Sequence, residues 1–180
     1  AAMTAGAIAP WVLGALAIGS LIKSLDDSGT YHSGGLGSFS AAGGAATGNA
    51  VKGQGVGFDL ASKDYTASGE QAAAQIAQAV VGLLDSTAAT FGGKAGAYAA
   101  TAFADDSSKS GAWGALMVRI GDQMVIDWKN GTDKWPGREF SNGEAGAQEY
   151  AAAVATDVRD YLLTQTPGWA DAMLSALGDA

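Results

Sequence analysis

The chain has 180 residues, a formal net charge of −8, 27 glycines and no cysteine. Only 16% of its residues are charged, compared with about 25% in an average soluble domain. The negative charge argues against binding of a nucleic-acid backbone through a basic surface. The lack of cysteine excludes disulfides and zinc–thiolate sites, and no other pattern indicates a cofactor or a metal.

The first segment, residues 1–25, is predicted to be an apolar helix that opens after Pro10. Residues 1–22 contain no charged side chain, and this length is about that of a membrane span. A helix that is apolar on nearly all sides is buried in lipid or in protein. A helix buried in a bundle and a signal peptide both stay open, although no basic residues precede the stretch. The residues expected at a membrane or subunit interface are Ile8, Trp11, Val12, Leu13, Leu16, Ile18, Leu21 and Ile22.

The next segment, residues 26–57, is rich in Gly, Ser and Ala. It is predicted to be an extended arm, with short strands near Tyr31 and Phe39. Residues 58–180 are predicted to form the C-terminal domain, with a short strand within 58–65. We expect an α+β fold in which a small antiparallel sheet is packed by two or three helices.

The first helix of this domain is predicted over residues 70–87, because Ile76, Val80 and Leu84 recur at helical spacing. Ser68 is the expected N-cap. After the glycines that end the helix, the alternating residues of the segment 94–106 predict a strand.

A second helix is predicted over residues 144–165, with Ser141 or Asn142 as its cap. A short helix starting at Trp169 is expected after it. The apolar positions recur at helical spacing, which predicts one buried stripe on the second helix and one further buried residue. These residues are Tyr150, Val154, Val158, Tyr161 and Trp169.

The clearest β signal is a hairpin over residues 113–128, in which Gly121 and Asp122 indicate a turn between two apolar runs. A three-residue loop, Gly121–Gln123, gives one fully apolar face, and register follows the hydrophobic face. We therefore predict this loop, and we expect the sheet to be centred on the hairpin. The resulting core residues are Leu116, Val118, Ile120, Met124, Ile126 and Trp128.

Catalytic residues are not evident in the sequence. His32 is the one histidine, and it lies in a Gly/Ser-rich segment close to Asp26 and Asp27. A catalytic triad needs a base that is oriented by a carboxylate and lies next to a nucleophile. Such proximity is common in any Ser-rich loop, so we expect no enzyme activity and keep a hydrolase that uses His32 as an alternative.

Five segments of the chain carry a family resemblance. They are IAPWVLGALAIGSLIKSL, YHSGG, AFADDSSKSGAWGALMVRIGDQMVIDW, WPGREFSNGEAGAQEYAAAVATDVRDYLL and PGWADAMLSALGDA. Their order and spacing resemble the C-terminal region of tape measure proteins from long-tailed phages of Gram-negative bacteria. The resemblance covers nearly the whole chain, and none of its motifs is catalytic.

The resemblance implies a structural virion protein that is held in the tail tip, inside the hub and distal tail proteins. A threefold-symmetric setting implies a homotrimer. The resemblance also implies release at infection. The apolar segment is then expected to enter the host inner membrane and help the DNA to pass the cell envelope. We expect residues 1–25 to contact other copies and the hub before release. An alternative of another class is a secreted pore-forming protein such as a bacteriocin, in which residues 1–22 insert by themselves.

Overall fold

The computed structural model of the protein describes residues 32–48, 66–91, 94–107, 111–128 and 137–165. These residues form six strands and two helices, in the order β1 (His32–Ser40), β2 (Gly44–Thr47), α1 (Ala67–Phe91), β3 (Tyr98–Ser107), β4 (Gly111–Ile120), β5 (Gln123–Asp127), β6 (Arg138–Phe140) and α2 (Gly143–Gln165). The predicted α+β class, an antiparallel sheet packed by helices, is confirmed.

The strands of the described residues form one antiparallel sheet with the order β2-β1-β3-β4-β5. The short strand β6 also pairs with β4, at the end of β4 that β5 does not reach. The middle of the sheet is therefore β3, and the hairpin of β4 and β5 lies to one side. The prediction that the sheet is centred on this hairpin is wrong, because strands from the Gly-rich segment extend the sheet beyond β3.

The Gly-rich segment contributes two strands to the sheet, so the predicted extended arm is wrong for residues 32–48. The short strand predicted near Phe39 is confirmed by β1, and Tyr31 lies outside the described residues. Strand β1 lies between β2 and β3, and it pairs with β3 along its whole length from His32 to Ser40. A strand in this position has both sets of backbone groups hydrogen-bonded, which a freely extending arm does not. The predicted boundary before residue 58 therefore does not separate this segment from the domain.

Helix α1 confirms the first predicted helix and is longer at both ends. Its N-cap is Thr66 rather than the predicted Ser68, because the Thr66 hydroxyl accepts a hydrogen bond from the backbone N–H of Gly69 at 3.0 Å. Glu70 lies in the first turn, where a negative charge favours the helix dipole. Both Ser and Thr are good caps, so composition alone did not distinguish the two positions.

Helix α2 begins directly after Asn142, close to the predicted start. The backbone N–H and the hydroxyl of Ser141 each donate a hydrogen bond of 2.9 Å to the carboxylate of Glu149. These bonds, the backbone one first, hold the pKa of Glu149 below its ordinary value. They fasten the chain that enters α2 to the second turn of the helix.

The β4–β5 hairpin has a two-residue turn, Gly121–Asp122, and the predicted three-residue loop is wrong. Gly121 has φ +59°, the conformation that glycine adopts at the first position of a type II′ turn. Ile120 pairs with Gln123, but a bulge then shifts the register so that Val118 faces Ile126, as predicted. The bulge allows the two-residue turn and the apolar pairing of Val118 with Ile126 to occur together. The sequence-based prediction did not consider a bulge.

The core lies between the sheet and the two helices. Seven of the residues predicted for it are buried: Leu116, Val118, Ile126, Trp128, Tyr150, Val154 and Val158. Three others, Ile120, Met124 and Tyr161, are partly buried and pack against the core. Ile120 and Met124 are displaced towards solvent because the turn and the bulge lie beside them. The predicted Trp169 and the predicted interface residues of the segment 1–25 lie outside the described residues.

Candidate interaction surface

The two faces of the sheet can be assigned from the register. Gly37, Ala102 and Leu116 lie opposite one another in one row across β1, β3 and β4. A Cβ added at Gly37 would overlap the backbone of α1, so this row faces the helices. Successive residues of a strand point to opposite faces. The neighbouring row therefore points away from the helices.

The helix side, here called the first face, holds both described helices. Gly35 lies directly against Gly69 at the start of α1, and Gly114 lies directly under the ring of Tyr150 in α2. The Tyr150 hydroxyl donates a 3.0 Å hydrogen bond to the carbonyl of Ala115, so the ring is fixed on β4. Small residues in the sheet thus allow the helices to approach the strand backbones closely.

Helix α2 is also held at the β5–β6 edge by a polar cluster. Asp157 accepts a hydrogen bond from the indole N–H of Trp128 and forms an ion pair of 2.7 Å with Arg138. The Arg138 guanidinium lies 4.0 Å from the centre of the Trp128 ring, which is a cation–π contact. This cluster joins β5, β6 and α2, and its polar groups are paired with one another.

The opposite side of the sheet is here called the second face. Across β1, β3 and β4 it consists of the rows Gly34–Asp105–Trp113, Leu36–Phe103–Ala115, Ser38–Thr101–Met117 and Ser40–Ala99–Arg119. Its large side chains are buried: Leu36 is 0% exposed, Phe103 1% and Met117 3%. The helices α1 and α2 lie on the first face. The burial of the second face is therefore not due to the helices that the structure describes.

The burial of the second face changes along the strands. It is complete in the middle of β1 and β3, around Leu36 and Phe103. It decreases towards the β4–β5 turn, where Ser40 and Ala99 are half-buried and Arg119 is exposed. The buried part of this face thus includes the middle of these strands and does not extend to the β4–β5 turn.

Trp113 is the one residue of the second face with an unpaired buried polar atom. Its side chain is 8% exposed, and its indole N–H has no hydrogen-bond partner among the described residues. Buried indole N–H groups usually find an acceptor, and an unpaired one costs about 1–3 kcal/mol. The second face is thus apolar but carries one donor whose hydrogen-bonding capacity is unused.

Only some of the residues considered for a catalytic, metal-binding or membrane-spanning role lie within the described part of the chain. His32 is the first residue of β1 and pairs with Ser107, whereas Asp26 and Asp27 lie outside the described residues. Among the described residues, no group of three acidic or histidine side chains is arranged to hold a metal ion. No helix in the described part of the chain is long and apolar enough to cross a membrane, and residues 1–22 lie outside that part.

The second face was missed because one of its three strands, β1, comes from the segment that was predicted to be an arm. One signal in the sequence could have revealed it. Gly35 and Gly37 lie on either side of Leu36, which fits a strand with small residues on one side and a large one on the other. Glycine has a low strand propensity, so the composition obscured this alternation.

The chain matches no known protein-family model, and comparisons with curated proteins and with solved structures give no match.

Proposed function

We propose that this chain is the C-terminal part of a phage tail tape measure protein, a structural component of the tail tip and not an enzyme. In this proposal it is a homotrimer inside the tail tip, in contact with the hub and distal tail proteins and without specific contacts to nucleic acid. At infection it leaves the tail and its apolar segment enters the host inner membrane. There it helps the DNA to pass the cell envelope.

The observation that carries the proposal is that the two longest resembling segments form one structural unit. Residues 102–128 and 135–163 contain the quoted segments, and their described parts form most of β3 and nearly all of β4, β5, β6 and α2. The hydrogen bond and ion pair of Asp157 join the two segments. A resemblance that follows one packed unit is more informative than the same number of residues scattered over loops.

Mass spectrometry of purified particles of the phage that encodes the chain tests this proposal. We expect peptides from residues 32–165 in intact particles. We expect their loss from particles that have ejected their DNA in vitro, with the peptides of the capsid shell retained as the control. Absence of the chain from intact particles, or equal amounts before and after ejection, contradicts the proposal.

The second candidate function is a secreted pore-forming protein, and the uncharged stretch of residues 1–22 favours it. In that case the full chain should release a dye from liposomes without any other component. The double substitution Leu13→Asp and Leu16→Asp should abolish the release, because a charged side chain at the centre of a span costs about 3 kcal/mol. An inactive full chain excludes this function.

A further inference from the structure

We infer that the apolar N-terminal segment, residues 1–25, packs on the second face of the chain's own sheet. The side chains of Leu36, Phe103 and Met117 are almost inaccessible, whereas α1 and α2 lie on the opposite face. The inference names the part of the chain that covers these side chains. It does not rest on the proposed function.

The place where the chain enters the sheet favours this segment. Residue 31 directly precedes β1, and Leu36, which is 0% exposed on the second face, lies in the middle of β1. On the first face β1 is covered by the start of α1, because Gly35 lies against the backbone of Gly69. The residues before β1 therefore meet an occupied first face, whereas the buried apolar side chains Leu36 and Phe103 lie further along the strands on the second face.

Chemistry also favours this segment over the other parts of the chain outside the described ranges. Residues 1–22 contain no charged side chain, which suits a face of Leu, Phe, Trp and Met side chains. Residues 49–65 contain four charged side chains, at Lys52, Asp59, Lys63 and Asp64. Residues 166–180 follow α2, which lies on the first face.

The size of the segment fits the area to be covered. A helix from Trp11 to Leu25 is about 22 Å long at 1.5 Å per residue. The buried part of the second face spans three strands, β1, β3 and β4, which is about 10 Å from the first to the last. One helix of this length is sufficient, so the face needs no second copy of the chain to be covered.

The inference changes the expectation for the apolar segment. From the sequence alone we expected neighbouring copies and the hub to shelter it. If it lies on the second face, the chain shelters it by itself, and the same contact buries Leu36, Phe103 and Met117. The segment is then available for another partner only after this contact opens.

Photo-cross-linking of the full chain tests the contact. Met3, Met124 and Met173 are replaced by Leu, a substitution that cores tolerate well, so that Met117 is the one methionine. Photo-methionine, whose diazirine reacts with whatever lies next to it, is then incorporated at this position. We expect a cross-linked peptide pair that joins residue 117 to residues 1–25, identified by mass spectrometry.

The matched control moves the probe by one position, to the first face. In the same background, Leu116→Met with Met117→Leu should give cross-links to α1 and α2 and none to residues 1–25. Thr101→Met with Met117→Leu places a second probe on the second face, in case one variant does not fold. Circular dichroism and thermal melting verify the fold of each variant.

The other outcomes overturn the inference. Cross-links from residue 117 to residues 49–65 or 166–180 assign the cover to a different segment. Cross-links between isotope-labelled and unlabelled chains, mixed before illumination, assign it to a second copy. Reaction with water alone means that the second face is open in solution. The particle experiment tests the proposed function separately, so either result stands without the other.

Discussion

The first and second faces of the sheet are built from different kinds of side chain. Beneath α1, strands β1 and β3 present Gly35, Gly37 and Ala102. On the opposite side the same strands present Leu36 and Phe103, which are equally inaccessible to solvent. The small residues beneath α1 are buried by the close approach of the helix backbone. The buried residues of the second face are instead large apolar side chains.

The difference shows two ways in which a chain rich in Gly and Ala can form a core. Small residues bury little area each, so they stabilise mainly by letting elements approach closely. Burial of a large apolar side chain stabilises the fold by about 1.5–3 kcal/mol, but such a side chain needs a packed layer above it. Beneath α1 the first face depends on the absence of side-chain atoms, whereas Leu116 on the same face and Leu36 on the second face are large and buried. Adding atoms beneath α1 and removing atoms from either leucine should therefore both destabilise the fold.

The largest effect is expected from Gly35→Val on the first face. A Cβ at this position would overlap the backbone of Gly69, and neither backbone can move without displacing α1. We expect the free energy of unfolding to fall by more than about 4 kcal/mol, a loss typical only of severe disruption of a core. Chemical denaturation followed by circular dichroism measures it.

Gly82→Ala is the matched control for this substitution. Gly82 lies in the exposed middle of α1, and a Cβ there meets no atom within 4 Å. Alanine favours the helix over glycine, so we expect a gain of about 0.5–1 kcal/mol. If Gly35→Val were tolerated as well as Gly82→Ala, the close contact of β1 with α1 would not exist in solution.

The next effect compares a leucine on each face. Leu116 on the first face and Leu36 on the second are both 0% exposed. Truncation of a buried leucine to alanine costs about 2–5 kcal/mol. We expect Leu116→Ala and Leu36→Ala to lower the free energy of unfolding by similar amounts, about 3 kcal/mol each, in denaturation experiments on the full chain.

The comparison of the two leucines is informative because it does not assume which segment covers the second face. A cost below about 1 kcal/mol for Leu36→Ala, with the full cost for Leu116→Ala, means that the second face is exposed in solution. In that case the cover requires a partner. Leu36→Ile, which retains the volume, serves as the control for changes of shape.

The elements that the sequence predicted well are those with a strong local signal. α1 and α2 have apolar residues at helical spacing, and the β4–β5 hairpin has two apolar runs around Gly121 and Asp122. Their existence and type follow from periodicity, which each segment carries by itself. The boundaries and the turn differ, because a cap at Thr66 and a bulge after Val118 depend on atoms in neighbouring elements.

The sequence predicted only a short strand near Phe39, and the full length of β1 and its place inside the sheet depend on distant contacts. β1 contains three glycines in the nine residues from His32 to Ser40, and glycine disfavours strands on intrinsic grounds. The strand exists because β3 pairs with it along its whole length and α1 approaches Gly35 and Gly37 more closely than a side chain would allow. The second face was missed for the same reason, since a face is visible only after its strands are aligned.

A smaller effect is expected from pH, through Tyr150 on the first face. Burial raises the pKa of Tyr150 above the ordinary value of 10.0. Its contribution is therefore fully present below pH 10 and is lost as the pH rises from there towards the folded-state pKa. The free energy of unfolding should fall by up to about 1.4 kcal/mol per pH unit above pH 10 through this group.

Tyr150→Phe isolates this contribution. The variant loses the hydrogen bond to the Ala115 carbonyl, so below pH 10 we expect it to be about 1 kcal/mol less stable. Above pH 10 its stability should decrease less steeply than that of the parent chain, because a titrating group has been removed. Parallel slopes in denaturation experiments between pH 9 and 11 contradict the burial of the hydroxyl.

The smallest effect is expected from Trp113 on the second face. Its cause differs from that of the effect expected at Trp128 on the first face. The indole N–H of Trp128 donates to Asp157, so Trp128→Phe removes a hydrogen bond to a charged group and should cost about 2 kcal/mol. The indole N–H of Trp113 has no acceptor among the described residues. Trp113→Phe therefore loses some buried area but also removes the cost of an unpaired donor.

We expect these two contributions at Trp113 to offset each other, so that Trp113→Phe changes the free energy of unfolding by less than about 1 kcal/mol. Denaturation of both variants under the same conditions measures the difference. An equal cost for the two tryptophans would mean that Trp113 has an acceptor in solution. The hydrogen exchange rate of the Trp113 indole N–H, measured by NMR, would then be as slow as that of the Trp128 indole N–H. Fast exchange, together with a small loss of stability in Trp113→Phe, would mean that this indole N–H has no hydrogen-bond acceptor.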